Sequence, residues 1–305
     1  MQYFYMMVGL PGSGKSFHAQ KLPDAVIHSS DAIREEVLGN ISDQSNQELV
    51  FQTLHNRVLA DLRDGKNVVY DATNINYSRR QQFLTRVRAL HIKNLTTVCV
   101  FMATPYSKCL ENNAGRDRTV PEDVIKRMYE KFDIPMMAEG WDEIWIENDD
   151  EFGAFHWEET LKRLSAIEHD NPHHEFTIGQ HCLAAWAYLH DHYPDADITI
   201  KRATILHDIG KEHTKVFHNS HGEPTDIAHY YHHERVGAYD SFSYTGDLAL
   251  KDRLAVALLI RWHMHPYVVA KSDNPQKTTK KLVNLIGEEE WKRLLILNDC
   301  DLHAH

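Results

Sequence analysis

Cysteine is scarce in this chain. Cys99, Cys109, Cys182 and Cys300 are scattered over 305 positions with no C-x-x-C pair. That spacing argues against a disulfide framework and a cysteine-built zinc site, and it fits a reducing cytoplasm. Long apolar runs are also lacking. The longest, Leu254 to Ile260, falls well short of the ~20 residues a bilayer-spanning helix needs. No leader segment is visible, since the chain runs straight into a strand-like stretch and a glycine loop. The expectation is a cytoplasmic protein with no membrane partner. A basic surplus is missing too. The net charge is -11, with 17 Lys+Arg against 22 Asp+Glu in residues 1–155 and 16 against 22 in residues 156–305. Neither half carries the electrostatic footprint of extensive duplex binding. A nucleic acid gripped at one end, or a small phosphorylated molecule, is compatible. Repeats and low-complexity tracts are absent.

Histidine is plentiful and unevenly placed: 17 of 22 lie from His169 onward. That asymmetry suggests metal sites in the second half. The length suits two domains. The expected division is a first domain over 1–152, a connecting helix or linker over 153–168 and a second domain over 169–305.

The first domain opens with an apolar run at residues 3–8, short enough for a buried strand. Gly9-Leu10-Pro11-Gly12-Ser13-Gly14-Lys15-Ser16 follows and matches G-x-x-x-x-G-K-[ST] at every fixed position. Gly9, Gly12 and Gly14, with Ser13 between them, let backbone N–H groups converge on phosphate oxygens. Lys15 adds a mobile positive charge, and Ser16 offers a hydroxyl to Mg²⁺. A second short strand, 25–28, leads to Asp31 and Arg34, three apart on one helix face. Asp31 could take a proton from an attacking hydroxyl, and Arg34 could clamp a substrate phosphate. The structural alternative is a helix cap at Asp31 plus a surface pair. A long helix over 44–63 precedes a strand over 66–71. Asp71, at its end, is the kind of acid that holds the hydrated magnesium in phosphate-loop enzymes. Arg79, Arg80, Arg86 and Arg88, on the next helix, read as a solvated face, with substrate contacts as the alternative. Arg116 and Arg118 lie in a glycine-containing stretch before Pro121, as in a lid whose arginines stabilise a transferring phosphoryl group. The βαβα order implies a parallel sheet, so an α/β fold.

GLPGSGKS at 9–16, DAIR at 31–34, DATN at 71–74 and RDRTVP at 116–121 together resemble the P-loop kinases of the polynucleotide kinase family. The resemblance implies that Asp31 is the general base for a 5'-hydroxyl and that Arg34 holds the neighbouring phosphate. It also implies that Arg116, or Arg118 as the alternative, contacts the donor phosphates. ATP or another NTP with Mg²⁺ would be the cofactor.

The second half reads as all-α, with helices over 177–192, 200–208, 229–243, 248–262 and 288–302. Each delivers a ligand-type residue from an apolar neighbourhood: His181, His207 with Asp208, His233, His263 and Asp301. This half resembles the HD superfamily of metal-dependent phosphohydrolases. The resemblance implies one metal on His181, His207, Asp208 and Asp301, and a second on His233 and His263 with Asp208 bridging. Asp301 fits the family ending Asp-x-x-Ala better than Asp299, and His233 fits better than His232. His174 and His265 are neighbours of open role. Lys211, in HD-x-G-K, could neutralise substrate phosphate. Mixed N/O ligands admit Mn, Fe, Co, Ni, Zn or Mg, as one or two divalent ions.

A kinase and a phosphohydrolase make chemical sense together on opposite ends of a broken strand. The expected function is end healing of RNA or DNA: a 5'-hydroxyl kinase plus a 3'-phosphatase or 2',3'-cyclic phosphate phosphohydrolase, acting ahead of a ligase. The alternatives are a nucleoside or nucleotide kinase joined to an HD nucleotidase or phosphodiesterase, and a nucleotide-sensing protein with an inert HD half.

Overall fold

The structure is a computed structural model and describes residues 1–116, 118–147, 157–171 and 175–304. The backbone separates into two compact units, Met1–Tyr129 with Pro135–Asp149, and Glu130–Ile134 with Asp150–His305.

The first unit is a five-stranded parallel sheet with flanking helices. In chain order it contains β1 Gln2–Val8, α1 Lys15–Ala19, β2 Ala25–Ser29, α2 Ser30–Leu38, α3 Gln47–Arg63, β3 Asn67–Asp71, α4 Tyr77–Arg88, β4 Leu95–Met102 and α5 Tyr106–Ala114. Then come α6 Glu122–Glu130, which runs into the segment grouped with the second unit, and β5 Glu143–Glu147. The strand order is β2-β3-β1-β4-β5, and every pairing is parallel. β1 is central because its side chains are apolar on both faces, as a doubly covered strand requires. Tyr5 and Met7 pack on one face with Val69, Val98 and Val100. On the other, Phe4 meets Phe83 at 5.8 Å and Trp141 at 6.4 Å between ring centres. Val8, Ser29 and Asp71 thus reach the same carboxyl edge of the sheet, where open α/β folds bind ligands.

Helix starts follow local chemistry. The Ser29 hydroxyl accepts from Asp31 N and caps α2. α3 begins at Gln47, not at residue 44, because the Asn46 side chain accepts from Leu49 N and sets the first turn there. One reading fails at Arg80. It is not part of a solvated face but lies fully buried, forked onto Glu139 at 2.8 and 2.5 Å and donating to Asn74 O.

The second unit is mostly helical: α7 Trp157–Leu164, α8 Ile178–His192, α9 Ile198–Leu206, α10 Lys211–Thr214, then α11 His233–Asp240, α12 Leu250–Trp262, α13 His265–Ala270, α14 Pro275–Ile286 and α15 Glu288–Leu302. α8 packs on α9 and α15, and α12 on α9 and α11. Between α10 and α11 lies an antiparallel hairpin, β6 Lys215–His218 and β7 Pro224–Tyr230. The helix expected from residue 229 therefore starts at His233, because pairing with β6 holds the chain extended through Tyr230. No helix among the described residues is long and apolar enough to cross a membrane.

Candidate functional site

Two sites emerge, one in each unit. In the first, the loop after β1 closes on itself. Gly12 has φ +80, and a Cβ there would fall 2.2 Å from Cys109 O, so glycine is required both by conformation and by space. Lys15 is buried and donates to Leu10 O at 2.7 Å. Burial lowers its pKa, and the Arg116 charge adds to that against the pull of Asp71. Ser16 Oγ donates to Asp71 Oδ2 at 2.8 Å, so hydroxyl and carboxylate sit together at the loop's mouth. Burial raises the Asp71 pKa, while Lys15 opposes it.

Asp31 lies beside this loop at the start of α2. Because Ser29 provides the cap, the Asp31 carboxylate is not spent on capping. Arg34 Nη1 donates to Asp31 Oδ1 at 2.7 Å, and Arg118 Nη1 donates to Oδ2 at 3.3 Å. Arg118 Nε also reaches Ser42 Oγ. The two candidate lid arginines therefore differ: Arg118 faces Asp31, and Arg116 acts electrostatically on Lys15 and Asp71. The loop is held from behind by buried Asn113, whose amide makes a reciprocal pair with the Val120 backbone at 2.9 Å each way. Asn112 donates to Gly12 O.

In the second unit the chosen ligand set converges. His181 Nε2 lies 3.2 Å from His207 Nε2 and 2.9 Å from Asp301 Oδ1. His233 Nε2 lies 3.2 Å from His263 Nε2. Asp208 stands between the pairs: Oδ2 is 3.6 and 3.5 Å from His181 and His207, and Oδ1 is 3.6 and 3.8 Å from His233 and His263. Two groups of potential ligand atoms thus share one carboxylate.

All four imidazoles are oriented alike. Each Nδ1 faces a backbone carbonyl: Ala304 for His181, Thr204 for His207, Tyr230 for His233 and Ile260 for His263, at 2.7–2.9 Å. A carbonyl only accepts, so each Nδ1 carries a proton, which leaves Nε2 as the atom each ring can offer to an ion at the centre. Ring nitrogens and carboxylates gathered at about 3 Å, out of water, suit a cation. The set fits one or two divalent ions with mixed N/O ligands and does not select zinc. The electrostatics agree. Burial opposes charge on His207, yet Asp208 and Asp301 overcome it and lift its pKa to about 9. Asp208 and Asp301 are held well below the usual carboxylate range against their burial, Asp208 chiefly by Lys211 and Asp301 by His181 and His207. His263, among imidazoles, is pushed down to about 4, first by burial and then by His233.

Local sequence explains the convergence. His207 and His263 sit at the C-terminal ends of α9 and α12, and His233 opens α11. A Cβ on Gly210 would fall 2.1 Å from His233 O and 2.5 Å from Gly237 N. The glycine of HD-x-G-K lets α11 close on the His-Asp turn. The neighbours also sort themselves. Asp299 accepts from the Tyr193 hydroxyl at 2.7 Å, His232 is exposed and His265 stacks edge-on with Trp262. His174 lies outside the described residues.

Residues 4–135 match the AAA domain family and residues 178–302 match the HD domain family. The chain is a P-loop kinase domain joined to an HD domain. Among characterised proteins it is similar to the L-seryl-tRNA(Sec) kinase of Methanococcus maripaludis, 28% identical over 145 residues, 45% of this chain and 55% of that one. The chain therefore spans about half the length of that relative. Similar solved structures include the Pnkp1/Rnl/Hen1 RNA repair complex (22% identity, 44% of this chain, 48% of that chain, TM-score 0.35) and a gluconokinase from Sinorhizobium meliloti (15%, 48%, 82%, 0.34). The kinase fold implies a nucleotide with Mg²⁺, and the HD domain implies a divalent metal.

The HD domain contains two site neighbours that spacing did not single out, His169 and Tyr267. Lys211 Nζ is 2.7 Å from Asp208 Oδ2 and also reaches His169 Nε2 at 3.3 Å. His169 is buried, with Nδ1 facing Phe176 O at 2.6 Å. The Tyr267 hydroxyl donates to Asp301 Oδ2 at 2.9 Å. Of these only His169 had a signal, its place at the start of the histidine-rich half. Tyr267 had none.

Proposed function

We propose that the chain heals broken nucleic-acid ends: it phosphorylates a 5'-hydroxyl of RNA or DNA from ATP and removes a 3'-phosphate or 2',3'-cyclic phosphate. The carrying observation is the pairing of two phosphoryl-handling sites in one chain, Asp31 between two arginines and Asp208 between two histidine pairs. Opposed reactions on a single group would only consume ATP, whereas on opposite ends of a break both leave substrates for a ligase.

On this reading Asp31 takes the proton of the attacking hydroxyl. Arg34 holds the acceptor, Lys15 and Arg116 offset donor-phosphate charge, and Ser16 with Asp71 holds Mg²⁺. Arg118, donating to Oδ2, aims the Asp31 carboxylate. In the HD half, His181, His207, Asp208 and Asp301 would hold one divalent ion, and His233, His263 and Asp208 a second. Such an ion supplies water of lowered pKa and a Lewis acid for the phosphoryl oxygen. Lys211 balances Asp208 and the charge of the phosphate, and Tyr267 fixes Asp301. The functional boundary is proposed within 153–168.

The relative's acceptor favours one further reading: a kinase for a hydroxyl carried on an aminoacyl-RNA or small molecule, joined to an HD nucleotidase or phosphodiesterase. The test is an RNA with 5'-hydroxyl and 2',3'-cyclic phosphate ends, incubated with labelled ATP and a panel of divalent ions. Label at the 5' end and loss of the cyclic phosphate are expected. Failure to label any RNA or DNA oligonucleotide rejects the polynucleotide reading.

A further inference from the structure

The kinase half contains a cavity of about 510 Å³ beneath the carboxyl end of β3, walled by α3 and α4. Its position ties it to Asp31. Gln47 on its wall accepts from Arg34 Nη2 at 3.2 Å, and Arg34 holds Asp31. Thr73, also on the wall, accepts from Gly9 N at 3.0 Å through its carbonyl, so the cavity adjoins the phosphate loop. Arg34 is 5% exposed and its Nε has no partner among the described residues, a buried donor beside the cavity.

The wall is aromatic. His55 stacks on Phe83 at 4.5 Å, Tyr70 meets Phe83 edge-on at 5.0 Å, and Phe51, half-buried, adds another ring to the lining. Arg86 donates to His55 Nδ1 at 3.0 Å and lies 5.7 Å from the Phe83 ring centre. A guanidinium only donates, so His55 carries its proton on Nε2, bonded to the Tyr70 oxygen at 3.1 Å. Arg79, Arg86 and Glu48 are the charged residues of the lining, and all three are exposed.

We propose that this cavity takes the nucleobase of the hydroxyl acceptor. Flat aromatic walls suit a planar heteroaromatic ring, and base stacking on such walls tolerates sequence. The volume fits one nucleoside. The two exposed arginines suit the phosphodiester that follows it. The inference rests on the kinase reading of this half. The nucleoside has two possible sources, the 5'-terminal residue of a broken strand or the terminal adenosine of an aminoacyl-RNA.

The test uses the full chain. Phosphoryl transfer from ATP is measured for a 5'-hydroxyl oligonucleotide, for the same strand with an abasic 5' residue, and for a seryl-esterified RNA. Binding of the dinucleotide ApA and its abasic counterpart is measured alongside, with a non-hydrolysable ATP analogue present. The abasic acceptor is expected to lose about tenfold or more in kcat/KM and in affinity. Phe51→Ala should erase most of that preference, whereas Arg86→Ala should weaken base-bearing and abasic acceptors alike. The preferred esterified or 5'-hydroxyl arm identifies the source. Equal use of base-bearing and abasic acceptors, or displacement of ApA by ATP from one shared site, overturns the inference while phosphorylation itself upholds the kinase. Base-dependent binding without transfer to any acceptor keeps the cavity and removes the kinase reading.

Discussion

At the scale of single residues, burial separates side chains of the same type. Arg79, Arg80, Arg86 and Arg88 share one helix, yet only Arg80 is sealed from water, and it survives there because Glu139 matches its fork. Removing one partner strands a charge, so Glu139→Gln or Arg80→Met should destabilise the kinase half by about 3–5 kcal/mol, read as a shifted urea midpoint. Asp31 is different: its carboxylate is 43% exposed and flanked by two guanidinium groups, with no packing task. Asp31→Asn should leave folding and ATP binding intact and lower phosphoryl transfer about 10²–10⁴-fold in single-turnover assays. His55 gives a pH dependence. Burial, then Arg86, depresses its pKa to about 4 from 6.5. As pH falls from 6.5 toward 4 the unfolded chain takes up a proton the folded chain refuses, so stability declines over that window. Urea midpoints at pH 7 and 4.5 should differ less in His55→Gln than in the parent.

Elements register the next layer of constraint. Gly210 belongs to no ligand set, yet His233 reaches the centre only because α11 approaches this glycine within van der Waals contact. Gly210→Ala should therefore cost at least about 1–3 kcal/mol and lower bound-metal stoichiometry, measured by elemental analysis, although no ligand is changed. The elements that sequence disclosed were those with local causes. The phosphate loop, the strand runs and the ends of the ligand-bearing helices announce themselves within a few residues. Those it hid depend on distant partners. Glu139 is 59 positions from Arg80, and only that pairing makes the arginine a core residue. β6 and β7 are extended because they pair with each other, whereas residues 229–232 alone resemble the start of a helix. The Asp301–Ala304 spacing was visible as a pattern. Its physical content, the Ala304 carbonyl setting the His181 tautomer across 123 positions, appears only in the fold.

For the whole molecule, the decisive feature is that the two sites offer different donor sets. Ser16 and Asp71 offer only oxygen, the preference of Mg²⁺, which binds carboxylates and keeps much of its water. The HD centre offers four imidazole nitrogens around one shared carboxylate, a set that favours first-row transition ions over Mg²⁺. The acidic net charge of both halves adds no selectivity, so ion choice rests on these donors. One preparation should therefore separate the activities. After exhaustive chelation and return of Mg²⁺ alone, ATP-dependent kinase activity should recover and phosphohydrolase activity should not. Mn²⁺, Co²⁺ or Ni²⁺ should restore the latter. Thermal unfolding should show the same split: a transition-metal-dependent rise in the midpoint that His181→Ala or Asp208→Ala abolishes and Asp31→Asn leaves in place. If Mg²⁺ alone restored both activities, or if His181→Ala kept the full metal-dependent shift, the histidine nest would not be the ion site.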